Sequence, residues 1–183
     1  PARDAAQQLA MSREADRPSG DELIAAMLDE RVPLRGMDAV TTAAIGRLAG
    51  RRVVAVALAG PRGAMPGPGG FDLLCRAAAL AGSLDLVLLV LVDTPGADPH
   101  RESDGLSGAI GGAVLAVLRT PAPTIALVHG EGGSGGALAG TVTDVVGVGE
   151  LGWFAALGPE GAAAALRTSV EDAAGQMRIT PAE

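Results

Sequence analysis

The chain has 183 residues, 48% of them apolar and 19% charged, with 27 glycines and only three aromatic side chains, Phe71, Trp153 and Phe154. It is long enough for one domain with a sizeable core and too apolar for a disordered chain, and its glycines follow no three-residue period. A net charge of −7 with scattered arginines leaves no basic face for nucleic acid, and the longest apolar run, residues 86–92, falls far short of the roughly 20 residues of a membrane-spanning helix.

The sequence contains no Lys, Asn or Tyr, so all 14 basic residues are Arg, and chemistry that needs a Lys amine or a Tyr phenol from this chain is excluded. Cys75 has no second cysteine to pair with, and no signal peptide opens the sequence, so the cytoplasm is the expected compartment. One Cys and two His at separated positions fit no zinc spacing, so no metal is expected in this chain.

Residues 1–20 are polar and Ala-rich and are expected as a frayed helix or N-terminal arm. Residues 21–183 are expected as one domain. A short helix starts at Asp21, with Leu23, Ile24, Met27 and Leu28 at helical spacing to dock on the body. Residues 40–48 and 53–58 read as a β-hairpin. A Gly/Pro-rich loop at 60–70 then leads to a helix near 71–81. The apolar run at 86–92 has the pattern of a strand buried on both faces. A turn at Asp93-Thr94-Pro95-Gly96, a helix near 107–118 and a second buried strand at 124–128 follow. The next loop, 130–136, opens a small-residue helix at 137–141. A strand at 145–148, an edge at Trp153-Phe154, a helix from Pro159 to about Thr168, and a last helix capped by Ser169 with Asp172 complete the pattern. Alternating strands and helices specify an α/β domain with parallel pairing.

The Asp-Thr-Pro-Gly turn is similar to the switch element of GTP-binding proteins, but a chain without Lys has no P-loop. Gly130, Gly132 and Gly135 satisfy the dinucleotide pattern Gly-x-Gly-x-x-Gly, with Glu150 near the spacing of a ribose-binding acid. Their position late in the chain argues against that reading. Gly132-Gly133-Ser134-Gly135-Gly136 also satisfies the nucleophile-elbow pattern, yet both histidines, His100 and His129, precede Ser134 where a hydrolase base follows its serine. The glycines carry a simpler meaning. A glycine run before a helix lets backbone N–H groups approach a ligand, and the helix N-terminus adds partial positive charge. The result is an oxyanion site made of peptide, requiring no Lys, Tyr or His. Tight helix–strand packing is the alternative explanation for any single glycine.

Taken in order, LVDTPGADP at 91–99, then Glu102, Gly105, Ser107, Ala109 and Ile110, then VHGEGGSGGAL at 128–138, Asp144, and PEGAAAAL at 159–166 closely resemble one family. That family is the carboxyltransferase α subunit of bacterial acetyl-CoA carboxylase, within the crotonase-like superfamily. The likeness continues more weakly through Arg17-Pro18 and AIGRLAGRRVVAVA at 44–57. It implies a crotonase-like ββα superhelix in a single α/β domain. It also implies a hetero-oligomer with a β-type carboxyltransferase subunit that binds the acyl-CoA, served by a biotin carboxyl carrier protein that delivers carboxybiotin. In such enzymes CO₂ passes to the enolate of the acyl-CoA, and each subunit holds one developing oxyanion. By motif, Gly135 and Gly136 supply the backbone oxyanion hole. Gly132, Gly133 and Ala137, with Pro95, Gly96 and Ala97, line the biotin pocket. Glu131 is expected to hold the loop, Asp93 to cap a turn, and Glu160 and Arg167 to lie on a surface or subunit contact. The loop at 60–70 departs from the longer, basic segment of the family and keeps only Arg62. On the same scaffold, a biotin-independent malonyl-CoA or acyl-carrier decarboxylase subunit and a non-catalytic scaffold subunit are the alternatives.

Overall fold

The apolar run at 86–92 becomes β4 (Val87–Thr94), and the sheet is arranged about it. A computed structural model describes residues 4–14, 16–58 and 64–181. Among them, β1 (Asp29–Leu34), β2 (Thr41–Leu48), β3 (Arg51–Leu58), β4, β5 (Thr124–Gly133) and β6 (Val145–Val148) lie side by side in that order, and β7 (Trp153–Ala155) pairs with β5 beyond β6. The pairings of β1 with β2 and β2 with β3 are antiparallel. All pairings from β3 onward are parallel.

Alternation along β4 explains how the layers form. Leu88, Val90 and Val92 face a core shared with α3 (Pro68–Leu84), α4 (Leu106–Arg119) and α5 (Ser134–Thr141). Leu89 and Leu91 face the other side, where Ile24 within α2 (Gly20–Met27) and Leu28 just beyond it complete the layer with Ala44, Val53, Ala55 and Ala57. A strand with apolar neighbours on both faces has no reason to alternate polar and apolar residues. α3 starts with Pro68 in its first turn and buries Phe71, Leu74, Ala78 and Ala81, the helical spacing that lays one face on the sheet. Alanines and glycines at the helix contacts bring the backbones close with little side-chain entropy to lose.

The hairpin at 40–58 forms as expected. Two elements in the N-terminal part differ from expectation. β1 is an added edge strand, mostly exposed and interrupted by Pro33, so no alternating pattern announced it. Residues 5–12, expected as a frayed helix or arm, form α1 (Ala5–Ser12), whose Ala5 and Leu9 pack with Trp153, Ala174 and Ile179. The Gln8 amide donates to the carbonyls of Glu150 and Gly152 at 2.6 and 3.0 Å, fastening α1 across the turn before β7. The late helices are α6 (Pro159–Leu166) and α7 (Val170–Met177), and Ser169 Oγ accepts the Asp172 N–H at 3.0 Å as the cap that the sequence predicts. Among the described residues no helix is long and apolar enough to cross a membrane.

Phe71 is fully buried at the heart of the larger core. Phe71→Ala is expected to destabilise the fold by about 3–5 kcal/mol, read as a drop in the midpoint of urea unfolding.

Candidate active site at the ends of β4 and β5

β4 and β5 run in step from Leu88 opposite Thr124 to Val92 opposite Val128, but the next pair is Thr94 with Gly132. One residue of β4, Asp93, therefore faces three of β5, namely His129, Gly130 and Glu131. The loop expected at 130–136 is in fact strand as far as Gly133, bulged at its middle and held by β7 on its outer side. Asp93, expected to cap its own turn, accepts the Glu131 N–H of the neighbouring strand at 2.7 Å.

Past the bulge, β5 turns directly into α5 at Ser134, whose φ of 56° places a non-glycine residue in the left-handed region. Among the described residues no backbone or side-chain acceptor outside the helix engages the N–H groups of Ser134, Gly135 or Gly136. The first-turn N–H groups of a helix have no partner within it and carry its partial positive charge, the arrangement that accepts an anionic oxygen. The turn at Pro95, Gly96 and Ala97 lies directly against this helix start. A Cβ on Gly136 would sit 2.5 Å from Gly96 O and 2.7 Å from Ala97 N, and one on Gly133 would overlap the Pro95 carbonyl. These two glycines let main chain rest on main chain.

Gly135 differs from both. An added Cβ here would make only ordinary van der Waals contact with Ile110, 3.7 Å from its Cγ2, so this half-buried position has room for a Cβ. Ala137 is buried in the main core, and Gly132 is buried where a Cβ would meet Trp153 O at 2.6 Å. Thus Pro95, Gly96, Ala97, Gly133 and Gly136 come together, the half-buried Gly135 borders them beside Ile110, and Gly132 and Ala137 support them from within. Thr94, which sequence reasoning passed over, is fully buried and donates its hydroxyl to Gly96 O at 2.6 Å, fixing the turn from below. The polar pair Asp93-Thr94 ending a continuous apolar strand was the signal.

The charged groups lie on the other side of β5. Glu131, 5% exposed, accepts from Arg13 Nε at 2.8 Å, and Arg13 also pairs with Glu160 Oε1 at 2.7 Å, joining α1, β5 and α6. Burial pushes the Glu131 carboxyl above its usual range, against the pull of Arg13. His129 Nδ1 lies 3.5 Å from Arg17 Nη2 and 3.9 Å from Asp93 Oδ2, and its Nε2 is buried with no hydrogen-bond partner among the described residues. Burial, reinforced by the Arg17 charge, lowers the His129 pKa, and Asp93 opposes both. His129 thus faces Arg17 and Asp93, and among the described residues the Ser134 hydroxyl makes no hydrogen bond. Residues 59–63, including Arg62 of the loop at 60–70, lie outside the described residues. Among the described residues no group of three or more His, Cys, Asp or Glu is placed to hold a metal ion.

Residues 3–183 match the family described as acetyl co-enzyme A carboxylase carboxyltransferase-like. The chain belongs to that family. It is 34% identical over 97% of its length to the acetyl-coenzyme A carboxylase carboxyl transferase subunit alpha of Wolinella succinogenes, and spans 63% of that protein. It is 36% identical over 99% of its length to the fused carboxyl transferase subunits beta/alpha of Salinispora tropica, spanning 35% of it. The chain therefore covers less than two thirds of these relatives. Among solved structures, transcarboxylase 12S aligns with a TM-score of 0.76 and 22% identity over 88% of this chain and 35% of that one. The MdcD-MdcE hetero-dimer of Pseudomonas malonate decarboxylase aligns at 0.69 and 21%, over 88% of this chain and 74% of that one. These likenesses show the fold, which is crotonase-like.

Two outcomes follow from this geometry. Gly136→Ala forces backbone apart and is expected to cost about 1–3 kcal/mol of stability, whereas Gly135→Ala stays within about 0.5 kcal/mol of the parent in the same denaturant titration. For His129, the unfolded chain takes up a proton near the ordinary value of 6.5 while the folded chain resists until lower pH. Its contribution to stability is complete above pH 6.5 and is lost as pH falls towards the folded pKa. Melting curves from pH 7.5 to 5.5 are expected to slope downward on acidification, and His129→Gln to flatten that slope.

Proposed function

We propose that the chain is the α-type half of a biotin-dependent acyl-CoA carboxyltransferase, catalytically complete only with a β-type partner. The observation that carries this reading is the open start of α5. Among the described residues, main-chain N–H groups without acceptors outside their helix stand at the half-buried Gly135, where an added Cβ would meet only Ile110. Family membership supplies the class of reaction.

Carboxybiotin, when bound, supplies CO₂ and leaves a negative ureido oxygen. The N–H groups of Gly135 and Gly136 would hold that oxygen. Pro95, Gly96 and Ala97 wall the same pocket, and Gly132, Gly133 and Ala137 hold its floor in place. Peptide donors fixed by the fold stabilise charge without reorganising when it appears, and they suit a chain that has no Lys or Tyr. Their strength grows in a site that excludes water, which a partner covering Gly135 would provide. The acyl-CoA belongs on the β-type subunit, whose own oxyanion site holds the enolate, and a carrier protein brings the biotin. The active assembly is cytoplasmic and hetero-oligomeric.

The test is turnover by the chain co-purified with its β-type partner, assayed as malonyl-CoA decarboxylation with and without free biotin. Biotin-dependent CO₂ release is expected, and equal release without biotin would assign the chain to a decarboxylase instead. Gly135→Leu adds a side chain at a half-buried position where a Cβ makes only ordinary contact with Ile110 and meets neither Pro95 nor Gly96. It is expected to lower kcat by about 10²–10³-fold at an unchanged melting temperature, and retained turnover would remove Gly135 from the site.

A further inference from the structure

The bulge in β5 poses a problem of unpaired backbone. Where Asp93 stands opposite His129, Gly130 and Glu131, the ladder supplies no partner for the His129 carbonyl or the Glu131 N–H. Both are satisfied by one ion pair. Asp93 Oδ1 accepts from Glu131 N at 2.7 Å, and Asp93 Oδ2 accepts from Arg17 Nη2 at 2.9 Å. The same Nη2 donates to His129 O at 2.8 Å. Arg17 Nη1 donates to Ser12 O at the end of α1, so the guanidinium is anchored on the side away from the sheet as well. The side chains of Arg17 and Asp93 are only 11% and 15% exposed. Gly130 completes the arrangement, since a Cβ there would overlap Asp93 Oδ1 and Arg17 Nη2.

We infer that the Arg17–Asp93 pair is a positioning device for the oxyanion site, acting by holding open the β5 bulge that aligns residues 133–136 with residues 95–97. This rests on the proposed function for its kinetic consequence, though not for its structural one. Residues on β5 beyond the bulge are offset by two from the register before it, and that offset sets Gly133 on Pro95 and Gly136 on Gly96 and Ala97. Bulges beside active sites re-aim the residues that follow them. Without the pair, the buried His129 carbonyl and Glu131 N–H lack partners, and the register is drawn back towards the regular ladder. The guanidinium fork, planar and always charged, is suited to bridging a carboxylate and a carbonyl in fixed geometry. Arg17 touches no ligand. It acts through Asp93 and the β5 backbone on the first turn of α5.

The experiment compares Arg17→Ala, Arg17→Lys and Asp93→Ala with the parent, each in complex with the β-type subunit. Deuterium exchange is followed over residues 129–136 and over β3, alongside kcat and KM. For Arg17→Ala and Asp93→Ala, exchange at 129–136 is expected to speed by about tenfold or more while β3 stays within about twofold. The value of kcat is expected to fall by about 10²-fold with KM for the acyl-CoA little changed, because a small misplacement of donors is felt in the transition state. Arg17→Lys, which keeps the charge but lacks the planar guanidinium that reaches Asp93, the His129 carbonyl and the Ser12 carbonyl together, is expected to recover only a small part of either. Uniform loss of protection across the sheet, or an unchanged kcat in a folded Arg17→Ala complex, overturns the inference. Should Arg17→Ala fail to fold, Arg17→Lys decides alone, because parental exchange and kcat in it contradict the need for a guanidinium fork. A parent complex with no biotin-dependent activity refutes the proposed function, and the exchange data then still judge the bulge.

Discussion

Main chain resting on main chain, between residues 95–97 and residues 133–136, is the constraint on which the site depends. Two backbones approach this closely only where neither carries a Cβ at the point of contact, and Gly133 and Gly136 are those points. The contact fixes the start of α5 against the end of β4, so the helix N-terminus is aimed by strand packing rather than by side chains that could change rotamer. Donors held in this way have lost their freedom during folding, before any ligand arrives. The left-handed φ of Ser134 belongs to the same device, because the chain must turn from strand to helix with no intervening loop.

Much of this was legible in the sequence because it depends on local pattern. The unbroken apolar run at 86–92 specified a strand buried on both faces, and β4 has core on each side. The glycine density at 130–136 specified close backbone approach, with a helix to follow. The distinction between glycines that pack and a glycine that leaves space was not legible. It depends on what lies across from each one, and Gly135 is separated from Gly136 only by the distance to Ile110 and to Gly96. The end of the strand was misplaced for a related reason. Four residues from Gly130 to Gly133 carry loop composition, yet β4 on one side and β7 on the other hold them extended. Tertiary pairing overrode propensity there.

Arg17 illustrates a second kind of limit. Its side chain joins residues 76 and 112 positions away, so neither periodicity nor spacing connects them. The visible clue was Asp93, an acid at the mouth of an apolar strand, which needs a partner if it is buried. That partner comes from the segment between α1 and α2. The N-terminal residues are thereby tied to the site at two points, through Arg17 to the bulge and through Arg13 to Glu131 and Glu160. Helix α1, anchored on Trp153 and by Gln8 across the turn before β7, completes a clasp around the far end of β5.

Charge also bears on the proposed division of labour between subunits. A CoA ester carries several negative phosphate charges, while this chain carries 21 acidic residues against 14 arginines. Long-range electrostatics therefore repel such a ligand from the chain as a whole. Several arginines around the site are already committed to internal pairs, with Arg13 on Glu131 and Glu160, Arg17 on Asp93 and Arg101 on Asp104. What the first turn of α5 offers is a short-range field from peptide dipoles, effective for a single oxygen at hydrogen-bond distance and negligible beyond the first turn. That field fits a small charge delivered on a neutral carrier group. It does not fit a nucleotide handle, and the proposed placement of the acyl-CoA on the β-type partner follows from the same electrostatics.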